Sequence, residues 1–314
     1  MKRKMALLLS LVLTLSGLPS IQAEMKKPDE KKYVIIHADD AGMSHSVNLG
    51  TIEGMEKGIV SSASIMVPCP WFKEFADYAK KNPGLDYGIH LTLNSEWKNY
   101  RWGPVASRDQ VPSLLDEENY LWDNVGQVMK HVNVKDAEKE LRAQIERAQK
   151  FGVPLSHLDT HMGAVVSRPD LLEMYVNLGI EYQLPVLFVR NLDPKKYGII
   201  AEKGKELLAV LEKNGMPVLD ELVQFYGERD YDKRKQAYVE KLRELKPGVT
   251  QIIIHCGVDN QELQHITNSS SRRDGDRRVF TDPEVIQEIK DLGIEVITWK
   301  QLHKMAQQKL NAAE

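Results

Sequence analysis

Four short segments carry most of the residues able to do chemistry. They read His37-Ala38-Asp39-Asp40, Gly88-Ile89-His90-Leu91-Thr92, Ser156-His157-Leu158-Asp159-Thr160-His161 and His255-Cys256-Gly257. Each closes an apolar run, so each is read as the carboxyl end of a β-strand. A single strand-end Asp is ordinarily a helix cap or turn former, and a lone His a satisfied core residue. Four such endings together point instead to a shared site. Imidazole nitrogens and carboxylate oxygens without thiolate suit one divalent ion, zinc foremost, with magnesium, manganese, cobalt or nickel as alternatives. Three protein ligands leave positions for water and substrate, and an ion held this way activates water and polarises a carbonyl. Consecutive strand side chains point different ways, so in the pair Asp39-Asp40 one carboxylate can bind metal while the other takes a proton. The competing reading makes the pair an N-cap for the following helix. In Ser156–His161 the period of two places His157, Asp159 and His161 on one face. One of these histidines can be a ligand, and Asp159 can orient an imidazole from behind.

The elements that must position these residues alternate along the chain. Strands are expected at Tyr33–His37, Val60–Val67, Tyr87–Leu93, Ser156–His161, Val186–Val189, Thr250–His255 and Glu295–Thr298. Helices are expected at Ser46–Lys57, Trp71–Lys81, Ala137–Phe151, Pro169–Gly179, Lys203–Asn214, Asp232–Leu245, Asp282–Leu292 and Lys300–Leu310. Asn94–Tyr120 lacks periodicity and reads as a long loop. Strand–helix units with Gly/Pro stops imply parallel strands with helical crossovers. A barrel-like α/β domain fits, with a doubly wound open sheet as the competitor. No GxGxxG follows the first strand and no phosphate-loop motif occurs, so nucleotide cofactors are not indicated.

Composition narrows the classes further. The chain has 314 residues, 42 Lys+Arg against 45 Asp+Glu, 42% hydrophobic residues and two cysteines. That is too apolar for disorder, too polar for a multi-span membrane protein and too poor in cysteine for a disulfide scaffold. Met1–Ala23 has a basic start, a short apolar run and small residues before a cut after Ala23, the pattern of a signal peptide. It predicts export to the periplasm or exterior, with no stable membrane span once the leader is removed. Glu24–Lys32 reads as a flexible lead-in, and residues 33–314 as one domain. Losing Lys2, Arg3 and Lys4 makes the remainder more acidic, which argues against nucleic acid and fits a neutral sugar better than a polyanion.

The segment from His37 to Phe72, followed by GIHLTL and SHLDTHMG in that order and by IIIHCG near the end, resembles the YdjC-like (ChbG/HpnK) carbohydrate deacetylases. The resemblance spans nearly all of the chain after the leader. It implies a distorted (β/α) TIM-like barrel of the polysaccharide deacetylase type. It also implies metal-dependent removal of acetyl from N-acetylated sugars, with a small carbohydrate as partner. Homodimerisation is left open. On this resemblance Asp40, His90 and His161 are the metal ligands, Asp39 the general base, and His255 the protonated acid that serves the leaving amine. A bell-shaped pH profile would follow. His157 and Asp159 stand as second-layer groups or alternative ligands.

Two departures from the family pattern are visible. His161 is followed by Met162-Gly163 where many members continue with Gln and another His, and Cys256 stands where they have Pro. Cys256 is read as a small buried residue rather than the partner of Cys69 in a disulfide. Trp97, Tyr100 and Trp102 could stack on a sugar, although packing against the domain is the competing reading. The run Ser269–Arg278 is read as a solvated loop or as a rim of the site, with Arg273 as a substrate contact. Other metal hydrolases of esters, amides or phosphoesters, and an inactive sugar-binding protein, are the alternative functions.

Overall fold

The computed structural model describes residues 30–313 apart from Phe225. The leader Met1–Ala23, and the lead-in up to residue 29, lie outside the described residues.

Seven parallel strands form the sheet: β1 (Lys32–Ala41), β2 (Ser62–Ile65), β3 (Tyr87–Leu91), β4 (Leu155–Thr160), β5 (Glu221–Val223), β6 (Gly248–Ile254) and β7 (Ile294–Val296). Their order is β4-β3-β2-β1-β6-β5, with β7 paired to the start of β1. The outer strands β4 and β5 are linked through residues 185–190. Leu158 of β4 bridges Val186, and Val189 bridges Leu219 just ahead of β5. This closure makes a distorted barrel and excludes the open doubly wound sheet. The expected strand Val186–Val189 is therefore present only as isolated bridges. Pro185 at its start has no N–H to extend the ladder, and its carbonyl accepts from Leu158 N at 2.8 Å.

Alternation along β1 sorts residues between two layers. Val34, Ile36 and Ala38 face outward into the large core shared with the helices, whereas Ile35 joins Leu219, Ile297, Trp299 and Leu302 in a smaller cluster. That cluster seals the amino end of the barrel. Above it the interior turns polar: Trp299 Nε1 donates to Gln251 at 2.9 Å, and the His157 ring stacks on Trp299 at 4.9 Å. Chemistry in such folds is expected at the opposite end, the carboxyl ends of the strands.

Most expected helices occur within a few residues of their predicted bounds, but the run Ser269–Arg278 does not stay a loop. It forms the helix Ser270–Thr281, burying Arg273, Asp276, Val279 and Phe280. Charged residues dominate the run, and the burial of two of them, Arg273 and Asp276, is a tertiary effect that periodicity alone does not reveal. Arg277 bonds Asp274 at 2.7 Å along the same helix. Asn94–Tyr120 is a loop as expected, with two short 3₁₀ turns. The buried Glu140 pins it, accepting from the backbone N–H groups of Val105 and Ala106 at 2.9 and 2.8 Å. Among the described residues no helix is long and apolar enough to cross a membrane.

Candidate metal centre and its pocket

Strand alternation alone would send Asp39 and Asp40 to opposite faces. A β-bulge overrides it. β1 pairs Ala38 with Ala63 and then Ala41 with Ile65, so the two aspartates oppose the single residue Ser64. Asp40 takes a left-handed backbone conformation, φ 70°, which Asp tolerates better than most residues. Both carboxylates thereby reach the same imidazole: His90 Nε2 lies 3.4 Å from Asp40 Oδ1 and 3.8 Å from Asp39 Oδ2. The convergence of the pair on His90 thus arises from a bulge, not from alternation. Neither aspartate caps the next helix, because Ser44 does so by accepting from Val47 N at 3.2 Å.

His90 sits on β3 directly opposite Asp159 on β4. Its Nδ1 is bonded to Asp159 Oδ1 at 2.7 Å, and the other oxygen of Asp159 holds His37 Nε2 at 2.8 Å. Asp159 therefore fixes His90 with Nε2 turned inward. His161 begins the 3₁₀ turn after β4, and its Nδ1 lies 3.3 Å from the same Asp40 Oδ1. Its Nε2 is held at 3.0 Å by Glu96, a residue the sequence reading passed over. Glu96 lies in the aperiodic loop, so no local pattern marks it. Asp40 Oδ1 is buried without a hydrogen-bond partner, and its other oxygen is bonded to Arg273 at 2.7 Å. One orphaned carboxylate oxygen facing two oriented imidazole nitrogens is a donor set suited to a divalent ion. Asp40, His90 and His161 form one of three buried His/Asp groups among the described residues whose ligand atoms lie within 4.8 Å of one another.

His157 does not join this set. It lies deeper, against Trp299 and edge-on to His37 at 5.0 Å, with Nδ1 bonded to Ser156 at 2.9 Å. Burial and the neighbouring His37 hold it neutral. Asp159 is the orienting group the sequence suggested. Its burial opposes ionisation, but His90 and His37 keep its pKa below the usual carboxylate range. Burial likewise opposes the charge on Asp40, yet Arg273, His161 and His90 hold it well below its ordinary value. Asp39 behaves differently. Burial, helped by Asp159 and Asp40, pushes it up to about 7 against the pull of His90 and His37. Burial disfavours charge on the two histidines, but Asp159 raises His90 well above its ordinary value and Glu96 with Asp40 raises His161 to about 9.

Asp39, Asp40, His90, Glu96 and His161 line a cavity of about 680 Å³. His255 lines it, with its backbone N–H donated to Asp276 at 2.9 Å. The sequence reading required a protonated His255. The structure does not supply one: burial pushes its pKa down to about 3, with Arg273, His90 and His161 reinforcing and Asp40 opposing. Arg273, expected as a substrate contact, lines the cavity, with Nη2 bonded to Asp40 at 2.7 Å. Trp102 is buried, with Nε1 donating to Asn94 O at 3.0 Å, and Tyr100 OH donates to Met43 O. Of the three loop aromatics only Trp97 lines the cavity, alongside Tyr197 and Tyr226, whose exposure of 40% and 56% leaves their rings available. Met162, in the left-handed conformation, also lines it where the family pattern would bring Gln. Cys256 and Cys69 are both buried and free.

The YdjC-like protein family matches residues 33–291. A carbohydrate deacetylase from Thermoanaerobacter pseudethanolicus is 29% identical over 263 residues, covering 84% of this chain and 96% of its own. Another from Brevibacillus brevis is 30% identical over 270 residues, covering 86% and 99%. An Enterococcus faecalis crystal structure, named for cellobiose-phosphate cleavage, superposes with TM-score 0.72 at 26% identity, covering 87% of this chain and 99% of that one.

Proposed function

Since the chain belongs to the YdjC-like protein family, we propose that it is a metal-dependent hydrolase that removes acetyl groups from N-acetylated sugars or oligosaccharides. The observation that carries this reading is the convergence of His90 Nε2 and His161 Nδ1 on the unpartnered Asp40 Oδ1, with Asp39 beside them in one cavity. The names of the curated relatives support the substrate class.

Asp40, His90 and His161 would hold one divalent ion, zinc in our reading, which when bound supplies Lewis acidity and lowers the pKa of water. Asp39 is the proton acceptor. Its Oδ1 is buried without a hydrogen-bond partner, and a pKa near 7 matches a base working at neutral pH. Asp159 and Glu96 keep the two imidazoles turned so that the correct nitrogen faces Asp40. Arg273 keeps Asp40 ionised. His255 rests neutral, so the proton that Asp39 takes from the attacking water is the one delivered to the departing amine, with His255 as the relay. Trp97, Met162, Val166 and Leu187 give the cavity apolar walls, on which a sugar ring can lie and from which water is displaced. The amino-terminal pattern supports export as part of the same proposal.

Metal analysis of the purified protein, combined with acetate-release assays across N- and O-acetylated sugars, tests the reading. Acetate released from an N-acetyl sugar, lost on chelation and restored by the ion, is expected. Stoichiometric sugar binding without acetate release from the metal-loaded protein would overturn it.

A further inference from the structure

The same cavity is lined by three guanidinium groups, Arg234, Arg272 and Arg273. Two of them are neutralised: Arg234 lies 2.6 Å from Asp276, and Arg273 lies 2.7 Å from Asp40. Arg272 has no carboxylate partner among the described residues. Its hydrogen bond runs from Nη1 to the carbonyl of Tyr226 at 2.8 Å, and its Nε is buried without an acceptor. Nη1 of Arg273 is buried and unpartnered as well. Burial and the charges of Arg229, Arg234 and Arg273 all bear against the Arg272 cation, and Asp276 offsets only part of this. A guanidinium does not escape by losing its proton. Both arginines fall in the first turn of the helix Ser270–Thr281, which has no acidic residue there, so the positive end of the helix dipole adds to the field. Buried unmet donors in a positive field are costly unless an anion completes them.

We propose that this corner of the cavity is an anion subsite, with Arg272 as its principal donor, for a carboxylate carried by the acetylated sugar. Among the three arginines that line the cavity the surplus is one positive charge, and the planar fork of Arg272 matches a singly charged, planar carboxylate. This rests on the deacetylase reading. The net acidity of the chain does not oppose it, because the local field at the cavity wall, not the overall charge, meets the substrate.

The test compares acetate release from N-acetylglucosamine, N-acetylmuramic acid, 2-acetamido-2-deoxyglucuronic acid and N-acetylglucosamine 6-phosphate by the metal-loaded protein. At least one carboxylated sugar is expected to exceed the neutral one about tenfold in kcat/KM, the size of one charge-assisted bond. Arg272→Gln should collapse that ratio, Arg272→Lys should keep part of it, and added salt should erode it in the unsubstituted protein. If Arg272→Gln fails to fold, the ratio and its salt dependence in the unsubstituted protein decide. Equal rates on neutral and carboxylated sugars, a ratio unchanged in Arg272→Gln, or a preference confined to the phosphate sugar would overturn the proposal. Absence of acetate from every sugar would instead overturn the deacetylase reading on which it rests.

Discussion

His161 Nε2 is bonded to Glu96 at 3.0 Å, which leaves Nδ1 as the nitrogen that faces Asp40. His90 is arranged in the opposite sense, with Nδ1 on Asp159 and Nε2 on Asp40. Each imidazole is thus held from behind by a carboxylate. Removing such a carboxylate typically lowers metal affinity about 10- to 100-fold. Glu96→Ala should therefore weaken zinc binding by this order in a chelator-competition titration, with little change in thermal stability. An unchanged affinity would mean that Glu96 does not orient His161.

Asp39→Asn preserves the shape of the side chain and removes its basicity. Turnover should fall by about 10²–10⁴, the range for loss of general-base catalysis. Metal content should stay near that of the unsubstituted protein, because Asp40, His90 and His161 are untouched. Full activity in this variant would remove Asp39 from the base role.

The pH dependence of kcat/KM should have one rising limb and no falling limb from His255. Asp39 accepts a proton only when ionised, so activity rises with pH through its pKa, which is about 7 without a cation and lower beside one. His255, pushed down to about 3, is already neutral across this range and contributes no descending limb near neutrality. A bell with a falling limb between pH 6 and 8 that disappears in His255→Ala would restore the protonated resting acid.

Metal-free protein should lose stability as pH rises from 6.5 to 9. His161 is raised to about 9 in the fold, so its contribution is complete below its ordinary value of 6.5 and is lost as pH climbs through 9. The span corresponds to on the order of 3 kcal/mol. Metal binds the neutral imidazoles and releases protons, so the loaded protein should not show this decline. Urea titrations of chelated and zinc-loaded protein across that pH range measure the difference.

Gly88 leaves the space that His157 fills. A β-carbon at position 88 would stand 2.4 Å from His157 Nε2, and the ring is confined between Trp299 and His37. Gly88→Ala should destabilise the fold by about 1–3 kcal/mol, as overpacking does. The denaturation midpoint reads this directly, and a midpoint equal to that of the unsubstituted protein would show that the ring can move aside.

The amino-acid sequence by itself determined the alternation of strands and helices and which strand ends carry His and Asp, because periodicity and Gly/Pro stops are local properties. It placed Asp39, Asp40, His90, His161 and His255 at one edge, and the structure brings all five to one cavity. What it could not supply are relations between distant segments. The bulge that turns both aspartates toward His90 depends on the register between β1 and β2. The burial of Trp102 and the placement of Glu96 depend on how an aperiodic loop folds over the barrel. Burial leaves His255 neutral, with Arg273, His90 and His161 reinforcing it against Asp40, and these surroundings come together only when the barrel closes. The charged run at Ser269–Arg278 lies in a helix that buries Arg273 against Asp40, 233 positions away in the chain. Tertiary packing, which sets distances and desolvation, decided the charge states on which the proposed chemistry depends.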